Sequence, residues 1–171
     1  MIRETFEEVA AQLNCKYDYS ETRSVSLILR NIPTTYHRIT LEYKTVNIEL
    51  LFEFGSQNHG WVKSSISTDK NLAGFSVKTR SQIQRLFSKD KKPFIVKSDD
   101  PILESFIVNA LEETSYNEIA RKTTFEPEIF GTKESKQFMV RTDFYIGFVD
   151  NEKAIIPSIN LHKRIIDRIL R

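Results

Sequence analysis

Histidine and cysteine are the residues of this chain that could bind a metal ion or carry out nucleophilic catalysis. The sequence holds three histidines, His37, His59 and His162, and one cysteine, Cys15. No histidine has a second His or Cys at the spacing of a metal site, so the fold itself would have to assemble one. Cys15 cannot form an intrachain disulfide, and we interpret it as a half-buried apolar residue rather than a reactive thiol. These residues predict neither a bound metal nor a catalytic thiol.

Paired carboxylates offer acid–base chemistry at two places. Asp99 and Asp100 stand before a proline and an apolar helical pattern, where capping of the helix explains them without a metal or phosphoryl site. Glu126 and Glu128 flank Pro127, and we interpret them as solvated charges at a sheet edge rather than as an acid–base dyad. The five glycines are scattered and form no phosphate-binding loop, so we expect no cofactor.

Positive charge is concentrated in residues 78–97, which hold seven basic residues and one acidic residue. Such a segment could bind RNA, DNA or an acidic protein, and its candidate residues are Lys78, Arg80, Arg85, Lys91 and Lys92. The alternative is a solvated segment whose charge is partly balanced by the acidic helix that follows. We favour this alternative because few aromatic residues that could stack on bases accompany the cations, and we expect no nucleic-acid partner.

A second candidate surface is the polar loop at residues 55–61, where Asn58, His59 and Trp61 could form a small polar site. The alternative is a hairpin loop with Trp61 folded into the core, and this is the interpretation that we favour. The glycines and polar residues of the segment are typical of a loop between strands.

Strands with one buried face must position most of these residues. Apolar residues alternate with polar ones in five segments, 25–29, 39–44, 46–54, 61–66 and 75–78. This period predicts strands of an antiparallel sheet, since parallel strands tend to be apolar on both faces. Residues 32–35 read as a loop, and the weak break between Tyr43 and Val46 leaves open one long bent strand. A hairpin is predicted at 125–130 and 137–149, with its turn at 131–135 and with Pro127 marking either an edge strand or a bulge.

Helical periodicity recurs in five further segments, which are residues 3–13, 81–88, 101–113, 115–121 and 158–170. The helix at 101–113 has the clearest start, because Asp100 suits the N-cap and Pro101 suits the first helical position. In the last helix, Leu161, Ile165 and Leu170 are expected to face inward. The elements together predict an α+β fold, a mainly antiparallel sheet of five to eight strands with helices packed on one face.

Length and composition agree with one folded domain. The chain has 171 residues, is 40% hydrophobic and has a formal net charge of +2, and its size allows a substantial core. Within this domain we expect the N-terminal helix 3–13, a β-rich part at 24–79 and a helix–hairpin–helix part at 80–171. No apolar run approaches the length of a membrane-spanning helix, and no leader is visible, so we expect a cytoplasmic protein.

The second half of the chain shows one ordered pattern of elements. It begins with the strand Phe94-Ile95-Val96 and the cap Ser98-Asp99-Asp100, and it continues with the helix that contains Phe106 and Leu111, a second short helix, a hairpin and a closing helix. This pattern, over about residues 39–170, resembles an uncharacterised α+β domain of bacterial proteins that often adjoins transmembrane helices. The resemblance implies the fold, and it implies no activity and no catalytic residues.

The sequence therefore favours a non-catalytic binding or assembly module of the bacterial cytoplasm, with a protein partner or a second copy as a homodimer. Ile28 and Leu51 motivate this hypothesis, because both are apolar at strand positions expected to face away from the core. One alternative is a small-ligand-binding protein or enzyme with a pocket at His37 or His59. A third hypothesis is weak nucleic-acid binding through residues 78–97.

Overall fold

The computed structural model describes residues 2–24, 32–80, 92–148 and 150–171. The eight strands are, in chain order, β1 (Lys16–Ser24), β2 (Ile32–Tyr43), β3 (Val46–Phe54), β4 (His59–Ser67), β5 (Phe75–Thr79), β6 (Phe94–Ser98), β7 (Glu128–Glu134) and β8 (Gln137–Tyr145). The helices are α1 (Ile2–Leu13), α2 (Pro101–Glu113), α3 (Tyr116–Lys122) and α4 (Ile155–Leu170), with a 3-10 turn at Asn151–Ala154.

The strands form one sheet in the order β1-β2-β3-β4-β8-β7-β5-β6, and each described pair is antiparallel. The helices pack on one face of this sheet, so the predicted α+β class is confirmed. β1 and β6 lie at the two ends of the strand order. β4 and β8 lie at its centre and join the N-terminal strands to the C-terminal ones.

The break between Tyr43 and Val46 is a tight turn. Lys44 and Thr45 have φ of 49° and 65°, which is the backbone of a two-residue turn that joins twisted antiparallel strands. β2 and β3 therefore form a hairpin, and the alternative of one long bent strand is wrong. Just after the other end of β3, Gly55 has a φ of +125°, and a Cβ there would lie 2.5 Å from the Pro33 carbonyl oxygen. Only glycine fits this close approach of two backbone segments.

Two sequence-based boundaries near the N-terminus need correction. Residues 32–35 are not a loop, because β2 begins at Ile32 and pairs with β1 over its whole first half. β1 itself was missed because its sequence, KYDYSETRS, contains no aliphatic residue. Its inward positions, Tyr17 and Tyr19, are tyrosines, which suit a partly exposed edge strand. The predicted strand at 25–29, with Ile28, lies outside the described residues.

The predicted hairpin near the C-terminus is confirmed, but its turn is displaced. β7 and β8 continue to Glu134 and Gln137, so the turn is at residues 135–136, where Ser135 has a φ of 55°, and not at 131–135. β7 also pairs with both β5 and β8. The prediction of an edge strand from Pro127 is therefore wrong, since Pro127 stands just before β7 and withholds no ladder hydrogen bond from it.

The helix predictions are largely confirmed. The Asp100 side chain accepts a hydrogen bond from the Ile102 amide over 2.8 Å, and Pro101 is the first residue of α2. This cap fixes where α2 begins, because it satisfies an amide that has no partner within the helix. In α4, however, Leu170 is exposed rather than inward. The predicted helix at 81–88 lies outside the described residues.

The two faces of the sheet differ in what covers them. Phe6 of α1 contacts the ring of Phe52, with 5.2 Å between ring centroids, and His162 of α4 contacts Ser64. Both strand residues belong to the alternating set that faces the helices, and the buried side chains of this side form one hydrophobic cluster. The described helices thus share one face, and we call the opposite side the helix-free face.

Candidate functional site

The helix-free face is built from two neighbouring rows of side chains that run across five strands. The register of β2, β3, β4, β8 and β7 sets the members of each row. The first row consists of Arg38, Leu51, Trp61, Asp143 and Glu128, and the second of Thr40, Glu49, Lys63, Arg141 and Phe130. Because alternate residues of a strand share a face, all ten side chains point away from the helices.

Four apolar side chains lie near the middle of this face, among charged ones. Leu51 and Trp61 are paired across β3 and β4, and Leu51 is only 8% exposed although it points away from the helices. The ammonium of Lys63 lies 4.2 Å from the Trp61 ring centroid, which is a cation–π contact. Phe130 is half-buried in the second row, and Met139, the next outward residue of β8, is 37% exposed. We call the four apolar side chains Leu51, Trp61, Phe130 and Met139 the central patch. Charged residues of β4 and β8 lie between its two halves.

Charges of both signs surround this patch. Arg38 and Glu49 are joined by an ion pair of 3.2 Å between Nε and Oε1. The guanidinium of Arg141 donates twice to the carboxylate of Asp143, which also lies 3.3 Å from Nε2 of His59. Exposed pairs of this kind contribute little to folding stability.

The polar loop predicted at residues 55–61 does not form one site. Asn58 closes the loop: its side-chain oxygen accepts from the Gly55 amide over 3.2 Å, and its carbonyl accepts from the Ile146 amide over 2.9 Å. His59 and Trp61 are the first and third residues of β4 and lie on the helix-free face. The interpretation of Trp61 as a core residue is therefore wrong, because β4 begins before it and its parity directs the ring outward.

The described part of the basic segment extends along one hairpin. Lys78 is exposed and pairs in register with Ile95, while the amide of Arg80 donates to the Pro93 carbonyl over 2.8 Å and so continues the pairing of β5 with β6. Lys92 is exposed next to that end of the hairpin. Arg85 and Lys91 lie outside the described residues, so a basic patch that includes them stays a prediction.

The sequence missed a polar cluster inside the core. His162 of α4 is fully buried, and its ring lies between two hydroxyls, with 2.9 Å from Nδ1 to Ser64 Oγ and 3.0 Å from Nε2 to Thr142 Oγ1. Burial lowers the pKa of His162 to about 3, because a charged ring would lose its hydration there. The ring is therefore neutral at physiological pH, with one nitrogen donating and the other accepting.

A second buried pair extends this cluster. The Tyr116 hydroxyl donates to Ser158 Oγ over 2.8 Å, and both residues are fully buried. Burial raises the pKa of Tyr116, against the smaller opposing effect of its hydrogen bonds to Ser158 and Thr142. The signal in the sequence was the helical stripe Ser158, His162, Ile165 and Ile169, in which the first two polar residues occupy core positions. A Ser–His pair can activate a nucleophile, but here burial of Ser64 and His162 denies a substrate access.

His37 occupies a third environment, beside α1. Its Nδ1 lies 2.9 Å from the Tyr17 hydroxyl, and the rings of Phe6 and Phe54 flank it with centroids 5.0 Å and 5.6 Å away. Burial, and then the positive charge of Arg3, lower the pKa of His37. An open cleft of about 470 Å³ adjoins this cluster, but the aromatic rings enclose His37 as a packing residue.

The remaining candidates have local explanations. Asp100 caps α2, and Asp99 is exposed beside it. Glu128 lies on the helix-free face, next to Asp143 in register. Cys15 is a free, half-buried cysteine whose pKa is raised by burial. Within the described ranges, no three His, Cys, Asp or Glu side chains are grouped so that they could hold a metal ion.

Comparison of the chain with protein-family models, with curated proteins and with solved structures gave no match. Among the described residues, no helix has both the length and the apolar character that crossing a membrane requires.

Proposed function

We propose that this protein is a non-catalytic assembly module that packs its helix-free face against the same face of a second copy. The observation that carries the proposal is the central patch of Leu51, Trp61, Phe130 and Met139 on a sheet face to which no described helix contributes. Exposed apolar groups among polar ones are typical of protein-binding surfaces. Two sheets pack face to face about 10 Å apart, so a second sheet is a natural cover for the first.

The arrangement of charge favours a second copy over an acidic or basic partner. Along β8 the carboxylate of Asp143 and the guanidinium of Arg141 are two residues apart, and along β4 Trp61 and Lys63 have the same spacing. Consider a two-fold axis that lies parallel to the sheet, perpendicular to the strands and midway between the two rows. It brings the first row of one copy over the second row of the other copy. It places Asp143 over Arg141 of the second copy, Trp61 over Lys63 and Met139 over Tyr145, and each of these contacts is made twice. The same axis sets Leu51 over Glu49 and Phe130 over Glu128.

The face is large enough for a stable contact. Five strands spaced by about 4.8 Å, each with about nine residues that rise roughly 3.3 Å, span about 24 Å by 30 Å. The resulting flat area of about 700 Å² is close to the roughly 800 Å² per partner of a standard interface. A dimer of this kind does not require further elements outside the described residues.

We also propose that the protein acts in the cytoplasm. The free thiol of Cys15 supports this placement, since unpaired cysteines persist most readily in a reducing compartment.

Sedimentation velocity over a concentration series tests the proposed dimer. We expect the wild-type chain to shift from monomer to dimer as its concentration rises to high micromolar. Trp61→Ala and Met139→Glu should remove this shift, because the first deletes the largest ring of the central patch and the second buries a charge in it. Ile102→Glu is the matched control, because Ile102 is 69% exposed at the start of α2 on the helix side, and it should dimerise like the wild type.

Three results would contradict the proposal. The first is a wild-type chain that stays monomeric at high micromolar concentration. The second is a dimer that persists in both Trp61→Ala and Met139→Glu, since another surface would then form it. The third is a dimer that Ile102→Glu disrupts as strongly as Met139→Glu does.

A further inference from the structure

A cleft on the helix side of the sheet combines an apolar floor with a cationic rim. It lies between the segment that follows β4, the start of α2 and the last turns of α4. Its floor is formed by buried or half-buried apolar residues from each of these parts and from β5, which are Leu72, Ala73, Phe75, Leu103, Ile165 and Ile169. A surface of this kind favours an apolar molecule, because its binding removes hydrocarbon from water.

The rim of the cleft carries three cations, Lys70, Arg168 and Arg171. The Lys70 ammonium donates to the carbonyl oxygen of Ile169 over 3.1 Å, which holds it at the end of α4 and satisfies one of the unpaired carbonyls of that helix. Arg168 stacks its guanidinium 6.0 Å from the centroid of Phe106. Within the described parts of the chain, neither Lys70 nor Arg168 forms an ion pair with a carboxylate.

The acidic residue of this cleft, Asp100, offsets one of the three positive charges of the rim. Asp100 is engaged as the cap of α2, where its side chain accepts from the Ile102 amide. Against the opposing effect of burial, the pKa of Asp167 is lowered by its hydrogen bonds to Lys44 and Tyr43, by the charge of Lys44 and, least, by the charge of Arg171 on the adjoining side of α4. Lys70 and Arg168 therefore retain hydrogen-bond donors that point to no protein anion, and charged donors of this type bind carboxylates well.

We propose that this cleft binds a small apolar carboxylate, either a single-ring aromatic acid or a short-chain acyl acid. The apolar body lies on the floor against Leu72 and Ile169, and the carboxylate lies at the rim between Lys70 and Arg168. The cleft has a volume of about 230 Å³, which gives room for a small acid. The site is on the other side of the sheet from the proposed dimer contact, so either proposal can fail alone.

Titration of the full chain with sodium octanoate, followed by amide chemical shifts in NMR, tests the site. Octanamide is the matched neutral ligand, since it has the same apolar body without the charge. We expect octanoate to shift the amides of residues 70–75 and 165–170 in a saturable manner. Octanamide should bind at least tenfold more weakly, because only the carboxylate meets the two cations.

Variants of the rim separate the charged contact from simple partitioning into an apolar groove. Lys70→Gln and Arg168→Gln should each weaken octanoate binding about fivefold or more, while Lys163→Gln, a lysine of α4 that lies over the Tyr43 ring, should leave it unchanged. The proposal is overturned by equal affinity for octanoate and octanamide, by the absence of saturable shifts, or by unchanged octanoate binding in the folded double variant of Lys70 and Arg168.

Discussion

The two faces of the sheet place similar residues in opposite environments. On the helix-covered face, His162 is sealed between Ser64 and Thr142 with its pKa lowered to about 3. On the helix-free face, His59 lies 3.3 Å from Asp143 and is partly exposed. The first histidine is bound to its two partners by hydrogen bonds that water cannot replace, whereas the second has water as an alternative partner.

This difference separates residues that specify the fold from residues that are free for binding. A buried polar cluster must be fully satisfied, because each unpaired group costs about 1–3 kcal/mol. The neighbouring charges and rings of the helix-free face carry no such penalty, and most exposed pairs contribute at most about 1 kcal/mol. Substitutions should therefore affect stability on one face and association on the other.

The largest effect is expected for His162→Ala. This variant removes a buried ring and leaves the hydroxyls of Ser64 and Thr142 without partners, so the free energy of unfolding should fall by about 3–5 kcal/mol. His59→Ala is the matched control on the helix-free face and should cost less than about 1 kcal/mol. Urea unfolding measures both, and similar losses in the two variants would show that the comparison between the faces is wrong.

The pH dependence of stability should follow from the same histidine. The pKa of His162 is about 3 in the folded chain, against about 6.5 when unfolded. Between these values the unfolded chain binds a proton that the folded chain does not, so the free energy of unfolding falls as pH decreases from about 6.5 to about 3. The loss from this residue is up to about 1.4 kcal/mol per pH unit.

His162→Gln supplies the control for this pH dependence, because glutamine can keep a hydrogen bond and does not titrate. Its stability should fall less steeply than that of the wild type in urea unfolding between pH 7 and pH 4. The pKa of His37 is also lowered, so His37 contributes to the pH dependence of stability in the same direction in the wild type and in His162→Gln. Equal slopes for the two proteins would contradict the neutral, buried state of His162.

A smaller effect is expected for Tyr116→Phe. The change keeps the ring and removes only the hydroxyl that donates to Ser158, so it should lower the free energy of unfolding by about 1–2 kcal/mol. Tyr145→Phe is the control, since Tyr145 is exposed and its variant should stay within about 0.5 kcal/mol of the wild type. Thermal unfolding of both variants measures this difference. A Tyr116→Phe variant as stable as the wild type would show that the hydrogen bond to Ser158 does not stabilise the cluster.

The smallest effect on monomer stability is expected for Met139→Glu. Met139 lies on the helix-free face at the rim of the central patch, and a charge there remains in contact with water in the monomer. Its free energy of unfolding, measured at low concentration where the chain is monomeric, should change by no more than about 0.5 kcal/mol. A loss of 2 kcal/mol or more would show instead that this residue belongs to the folded core.

The sequence predicted the elements in which one period dominates. The two-residue alternation in 46–54 identified β3, and the helical stripe of Leu103, Ile107 and Leu111 identified α2. Both patterns are clear because each element buries one side. Prediction failed where long-range contacts decide the outcome. β1 has no aliphatic residue, and the pairing of β7 with β5 joins strands more than 50 residues apart in the chain.

The candidate sites were harder to predict than the fold. Trp61 was assigned to the core as part of a hairpin loop, and only the start of β4 at His59 places its ring on the helix-free face. The cluster around His162 joins residues from β4, β8 and α4, and no local spacing in the sequence brings them together. Of the two apolar residues that the sequence placed at outward positions, Leu51 is the one that lies within the described residues, and it does lie on the helix-free face.

Fluorescence of Trp61 is the most direct test of the proposed contact, because Trp61 is the sole tryptophan of the chain and lies in the central patch. As the protein concentration rises through the range in which sedimentation detects a dimer, we expect its emission to shift to the blue and its quenching by acrylamide to decrease. A dimer whose tryptophan emission and quenching stay the same as those of the monomer would show that the helix-free face is not the interface.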